Sequence, residues 1–176
     1  MQNGLILYKS KYGSSEKYAR WLSEATGFAC LEADKADAAA LKAADAVVLC
    51  GGVYASGLAG LSVLKKNARL LAGKKVFALA VGASPWNEKA IEAAKAQNLK
   101  DELAHVQLFY ARGAWDTEKM TFLHRTLCGM LKKAVAKQDP ATFEPWQEAL
   151  MSVPEGEKCD WTDRKYLEPL LEALRA

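Results

Sequence analysis

The sequence predicts a doubly wound α/β domain: a five-stranded parallel sheet with helices on both faces, three layers in all. Two observations carry this. Short apolar runs alternate with longer amphipathic patterns along most of the chain. The runs are continuous rather than alternating, as in parallel strands covered on both sides. Five repeats of strand then helix, joined by right-handed crossovers, complete the three layers.

The elements follow in order. Residues 5–8 (Leu-Ile-Leu-Tyr) form the first strand, and residues 15–25 a helix with Tyr18, Ala19, Leu22 and Ala25 at helical spacing. Residues 28–31 offer a short second strand, and the alanine-rich stretch 37–44 a short helix. Residues 46–50 are the third strand, ended by Gly51-Gly52, and residues 58–72 a helix with Leu61, Leu64, Ala68 and Leu71 on one face. The fourth strand spans 75–81, the next helix 87–97, and the fifth strand 106–111. A long amphipathic helix is expected over 116–137, with Met120, Leu123, Leu127, Leu131 and Val135 as its buried stripe. Asp139-Pro140, Pro145 and Pro154-Glu155-Gly156 mark an irregular segment over 138–160. A last helix opens near Thr162, where Pro169 imposes a kink or a late start.

The 176 residues suit a single domain, residues 1–176, with a core that needs no metal or disulfide staple. The chain is 51% hydrophobic and 26% charged, as soluble domains are. Charged residues interrupt every apolar run before membrane-span length, so no transmembrane segment is expected; peripheral contact with a membrane stays open. Met1 leads almost directly into the first strand without a basic leader, which points to the cytoplasm. A net charge of +3, scattered among acids, does not suggest a nucleic-acid partner. Cys30, Cys50, Cys128 and Cys159 form no C-x-x-C pair and only His105 and His124 accompany them, which argues against a metal site. Cys30 and Cys50, inside apolar runs, read as buried free thiols.

Ligands of open α/β sheets bind beyond the carboxyl ends of the strands, and three loops qualify. In Ser10-Lys11-Tyr12-Gly13-Ser14-Ser15, Gly13 permits a tight turn and the serines offer hydroxyls. Together with a helix N-terminus they suit a phosphate; the same serines would also serve as an ordinary N-cap. In Gly51-Gly52-Val53-Tyr54-Ala55-Ser56-Gly57, the glycines let a flat ligand approach, and Tyr54 stacks on it or is a surface tyrosine. Gly82-Ala83-Ser84-Pro85-Trp86-Asn87 offers further N–H donors, and Trp86 is a ring contact or a cap on the following helix. His124, on a helix, reads as structural or solvated rather than catalytic.

On these residues the chain resembles the flavodoxin superfamily, whose phosphate loop Ser/Thr-x-Thr/Tyr-Gly-x-Thr/Ser is matched by residues 10–15. It resembles more closely the branch that includes menaquinone-dependent protoporphyrinogen oxidases, through residues 10–15, 47–82 and 159–174. That likeness implies the strand order 2-1-3-4-5 and a noncovalent FMN. Ser10, Lys11, Tyr12, Gly13, Ser14 and Ser15 would hold its phosphate. Gly52, Val53, Tyr54, Ala55, Ser56 and Gly57, with Gly82, Ala83, Ser84, Pro85 and Trp86, would embrace its ring. Where those oxidases carry a basic, tyrosine-rich insertion, this chain has the shorter, more acidic Gly113-Ala114-Trp115-Asp116-Thr117-Glu118. The expected activity is electron transfer between a reduced donor or partner protein and a quinone-like or porphyrinogen-type substrate. The alternative is an electron carrier with no substrate of its own. A response-regulator receiver fits poorly: its acidic pocket and phosphorylatable Asp would stand where Tyr8-Lys9-Ser10 and Cys50-Gly51-Gly52 are.

Overall fold

Burial of an alternating backbone on two sides builds the sheet. In β1 (Gly4–Lys9), Leu5 and Leu7 enter one core and Ile6 the other, so both faces are covered. The structure, a computed structural model, describes residues 3–54, 57–153 and 158–176.

β1 pairs in parallel with β2 (Ala29–Glu32) on one side and β3 (Ala46–Tyr54) on the other. Beyond β3 and its two-residue antiparallel partner β4 (Gly57–Leu58) lie β5 (Lys75–Gly82) and β6 (Gln107–Arg112). The order is β2-β1-β3-β5-β6, which is 2-1-3-4-5 over the five main strands, as the sequence implied. Against one face pack Leu41 of α2 (Ala38–Ala43), Leu61 and Leu64 of α3 (Leu61–Lys66), and Ala68 and Leu71 of α4 (Ala68–Leu71). α5 (Glu88–Asn98) follows β5. Against the other face pack Tyr18, Ala19 and Leu22 of α1 (Ser14–Thr26), with Leu170 and Leu174 of α8 (Glu168–Arg175). The chain therefore winds one way from β1 and the other way from β3, and the two strands lie side by side.

Several expectations need correction. Ala25 is exposed. The helix over 58–72 divides at Asn67 into α3 and α4, although its four apolar residues are all buried. The third strand runs on through Gly51-Gly52-Val53 to Tyr54, which pairs with Gly57, so the described part of the expected loop is strand. The helix over 116–137 is shorter: β7 (Ala114–Asp116) comes first, and α6 spans Phe122–Val135, capped by Thr121. Its expected stripe is buried only at Val135, while Leu123, Leu127 and Leu131 are exposed. The segment 138–160 contains α7 (Pro145–Ser152) and β8 (Lys158–Asp160), which pairs with β7; Pro154-Glu155-Gly156 lies outside the described residues. The late start at Pro169 is borne out, because a short 3₁₀ turn over Arg164–Leu167 precedes α8. Among the thiols, Cys50 is fully buried and Cys30 half-buried.

Candidate functional site

A cavity of about 160 Å³ opens at the carboxyl edge of the sheet, where the winding reverses between β1 and β3. Ser10, Tyr12, Ser14 and Ser15 line one side, Gly52, Val53 and Tyr54 another, and Val81, Gly82 and Ala83 a third. Gly113, Ala114 and Trp115 come from the chain after β6, and Met120, His124 and Cys128 from α6 and its approach.

The first loop is built by a left-handed turn. Gly13 has φ +97°, a conformation that L side chains rarely adopt, and it stands at the N-cap of α1. The Gly13 N–H donates to Ser10 Oγ at 3.0 Å, and the Gly13 carbonyl accepts from Lys17 N at 2.9 Å. No side chain caps α1. Ser14 Oγ instead accepts from Ala114 N at 3.1 Å, tying this loop to the segment after β6. The ordinary N-cap by Ser14 or Ser15 is therefore not what is found, and the opening amides of α1 keep no side-chain oxygen of their own. Ser15 is buried in the cavity wall.

The second side depends on a close approach. A Cβ on Gly52 would lie 2.8 Å from the Tyr54 ring, so the missing side chain lets Tyr54 fold back over the end of β3. Burial raises the Tyr54 phenol above its ordinary pKa. The Tyr12 and Tyr54 rings meet edge to face with centroids 6.2 Å apart.

On the third side, polar anchors fix the loop after β5. Tyr110 Oη donates to Ser84 O at 2.6 Å, Arg112 Nε to Ala83 O at 3.0 Å, and Gly113 N to Gly82 O at 2.7 Å. The Arg112 guanidinium lies 3.9 Å from the centre of the Trp161 ring. Tyr18 sits behind this wall, donating to Arg112 O at 2.6 Å and accepting from Asp163 N at 3.0 Å. Burial pushes its phenol up to about 12, so it stays protonated and keeps donating.

The outer side is closed by α6. His124 Nδ1 is hydrogen-bonded to Tyr12 Oη, and His124 Nε2 lies 3.1 Å from Lys11 Nζ. Burial raises the pKa of Tyr12 and of Cys128. Among the described residues, none that line the cavity is acidic.

Of the residues singled out by sequence, Ser10, Tyr12, Ser14, Ser15, Gly52, Val53, Tyr54, Gly82 and Ala83 line this one cavity. Lys11, Gly13, Gly57, Ser84, Pro85 and Trp86 do not; Trp86 is 62% exposed. Ala55 and Ser56 lie outside the described residues. Sequence reasoning missed Val81, Gly113, Ala114, Trp115, Met120, His124 and Cys128. The signal available for His124 and Cys128 was their i, i+4 spacing. His124, read as structural or solvated, stands in the cavity wall.

Residues 5–142 match the family model of the flavodoxin domain. Comparison with curated proteins gives no match. Among solved structures, the chain is similar to the WrbA-like flavodoxin of Agrobacterium tumefaciens. The identity is 16% over 64% of this chain and 83% of that one, with a TM-score of 0.45. It is also similar to a flavoprotein of Lactobacillus acidophilus in complex with FMN, at 13% identity over 64% of this chain and 93% of that one, TM-score 0.46. An azoreductase of Bacillus anthracis is 12% identical over 86% of this chain and 98% of its own, TM-score 0.41.

Proposed function

The chain belongs to the flavodoxin domain family, and from that premise we propose that it binds FMN and works as an oxidoreductase. It transfers electrons between a reduced donor or partner protein and a quinone-like or porphyrinogen-type substrate: a quinone would accept them from the donor, whereas a porphyrinogen would give them up and the partner would be the acceptor. The observation that carries this reading is the composition of one cavity. Serine hydroxyls and the uncapped end of α1 stand at one end, backbone edges of β3 and β5 along the sides, and among the described residues no acidic side chain joins the lining.

The donor set suits the group. A phosphate dianion at Ser10, Ser14 and Ser15 meets hydroxyls, free amides and the positive end of a 13-residue helix. The Gly52–Tyr54 and Gly82–Ala83 edges offer peptide groups to the polar rim of a flat ring, and Tyr54 offers an aromatic face. Lys11 and Gly13 shape the phosphate end without lining it, and Ser84, Pro85 and Trp86 extend the ring end outward. At about 160 Å³ the cavity falls short of the roughly 300 Å³ of small ligand pockets. Tyr12 and His124, bonded to each other, both line it, so parting of that contact is one way to widen it for the ring.

FMN, when bound, supplies the redox chemistry. The protein holds it, tunes it and shields it. With no carboxylate among the described lining residues, none of these opposes the uptake of two electrons by a fixed negative charge, which favours an enzyme over a one-electron carrier. Tyr12, with its phenol raised by burial and its hydroxyl bonded to His124, keeps a proton at the rim of the site.

Purified protein should be yellow and should release FMN on denaturation. A colourless protein that ignores added FMN sinks the proposal. Steady-state reduction of small quinones, or oxidation of a porphyrinogen, then separates the enzyme from a carrier that works only with a partner protein.

A further inference from the structure

Of the large apolar side chains that the described residues leave exposed, five lie on one helix. Phe122, Leu123, Leu127, Met130 and Leu131 of α6 are between 44% and 84% exposed. Leu123, Leu127, Met130 and Leu131 recur at i, i+4, i+7 and i+8, which is one continuous stripe, and Phe122 extends the apolar surface at the first turn. The neighbouring face of the same helix carries His124, Cys128 and Val135 inward, so the stripe is not a core face turned out by a slipped register.

Charge sets this surface apart from the rest of the molecule. From Lys119 to Gln138 the chain has five basic side chains, Lys119, Arg125, Lys132, Lys133 and Lys137, and no acidic one. The whole chain carries +3, so everything outside this stretch sums to −2. None of the five forms an ion pair with a described residue. Arg125 donates to the carbonyls of Thr117, Glu118 and Met120, and Lys132 to that of Val153. Those bonds go to neutral carbonyls, so among the described residues no carboxylate offsets the charge.

We propose that α6 seats the protein on an anionic lipid surface, its Leu/Met stripe entering the headgroup boundary. An aliphatic stripe on a helix whose cations no described carboxylate pairs is what an interfacial helix needs, and each basic residue near an anionic leaflet adds attraction that salt screens. A second copy of the chain is a worse occupant, because a two-fold contact through α6 would bring two stretches of five cations together. A specific protein partner would use directional polar groups around the apolar centre, and Arg125 and Lys132 already direct donors to carbonyls of their own chain. The proposal stands apart from the FMN reading: it concerns the outer face of α6 and holds whatever the cavity binds.

The test is co-sedimentation of the full-length protein with vesicles of phosphatidylcholine alone and of phosphatidylcholine with phosphatidylglycerol, at low and high salt. Binding is expected only to the anionic vesicles, reversible, and weakened by salt. Replacing Leu123→Gln and Leu127→Gln together should lower the partition constant at least tenfold. Lys133→Glu, which leaves the apolar stripe intact, should lower it about tenfold or more. Circular dichroism and flavin content of both variants report whether the fold persists. No sedimentation with anionic vesicles at low salt, or undiminished binding by both variants, overturns the proposal. So does a dimer in analytical ultracentrifugation that the leucine pair abolishes while vesicles bind neither form, since a second copy would then cover the stripe.

Discussion

The two walls of the cavity are made differently. The inner wall is the end of the sheet: Ser10, Gly52, Val53, Val81 and Gly82 continue strands whose interiors are fully buried, and Tyr18, Tyr110 and Arg112 fix the adjoining turns by hydrogen bonds. The outer wall is α6, a helix with one buried residue, Val135, and an apolar face turned to solvent. It meets the inner wall through polar contacts of His124 with Tyr12 and Lys11. A wall grown from strands inherits the rigidity of a close-packed core. A wall that meets it through a few polar contacts can part from it with less loss of packing.

The sharpest way to break this contrast is to truncate one leucine in each wall. Leu79, in β5, is fully buried between Phe77 and Val81 in the sheet core. Leu79→Ala should cost about 2–5 kcal/mol, the transfer loss plus a cavity that the packed sheet cannot close. Leu127, with half its surface in water, should cost within about 0.5 kcal/mol as Leu127→Ala. Urea unfolding of the two variants checks both. A loss of more than 2 kcal/mol at Leu127 would show that the outer face of α6 is packed after all.

The same contrast explains what was legible in the sequence. The parallel strands could be read because burial on both sides leaves an uninterrupted apolar run, and the positions of Leu61, Leu64, Ala68 and Leu71 because a single core sits on one side of them. The serine and glycine turn after β1 could be read because a left-handed residue at a helix start leaves a glycine in the sequence. α6 has a helical apolar stripe that periodicity detects correctly, but periodicity does not say what covers the stripe. Here the residues facing the cavity are His124 and Cys128, and the leucines face out. The pairing of β7 with β8 spans more than forty residues between three-residue strands, too short to show a pattern. The cavity side of residues 113–115 follows from Ser14 Oγ reaching Ala114 N, a contact between residues 100 apart that local spacing does not encode.

Within the inner wall, Gly13 offers the next largest effect. A Cβ there would meet nothing within 4 Å, so crowding is not the penalty. The backbone conformation is: at φ +97° an L residue is strained by about 1–2 kcal/mol, and a β-branched one by more. In Gly13→Val the turn should relax away from this conformation, and FMN binding would have to restore it. The expected outcome is about a tenfold weaker FMN affinity by fluorescence titration, with little change in the unfolding midpoint of the sheet core. Equal affinity would detach Gly13 from the phosphate role.

The smallest expected effect probes the outer wall. His124 is bonded to Tyr12 Oη across 112 residues of sequence, and Lys11 Nζ approaches its other nitrogen at 3.1 Å. If this contact must open before a flavin ring enters, removing it lowers the barrier by the worth of one hydrogen bond, about 1 kcal/mol. His124→Ala should then bind FMN roughly fivefold faster in stopped-flow quenching. Leu127→Ala, on the outer face of the same helix, should leave the rate unchanged. Equal rates for His124→Ala and the parent would mean that the ring enters past Tyr54 instead. A slower rate would make His124 part of the ring's seat rather than its cover, and the two walls would then act as one.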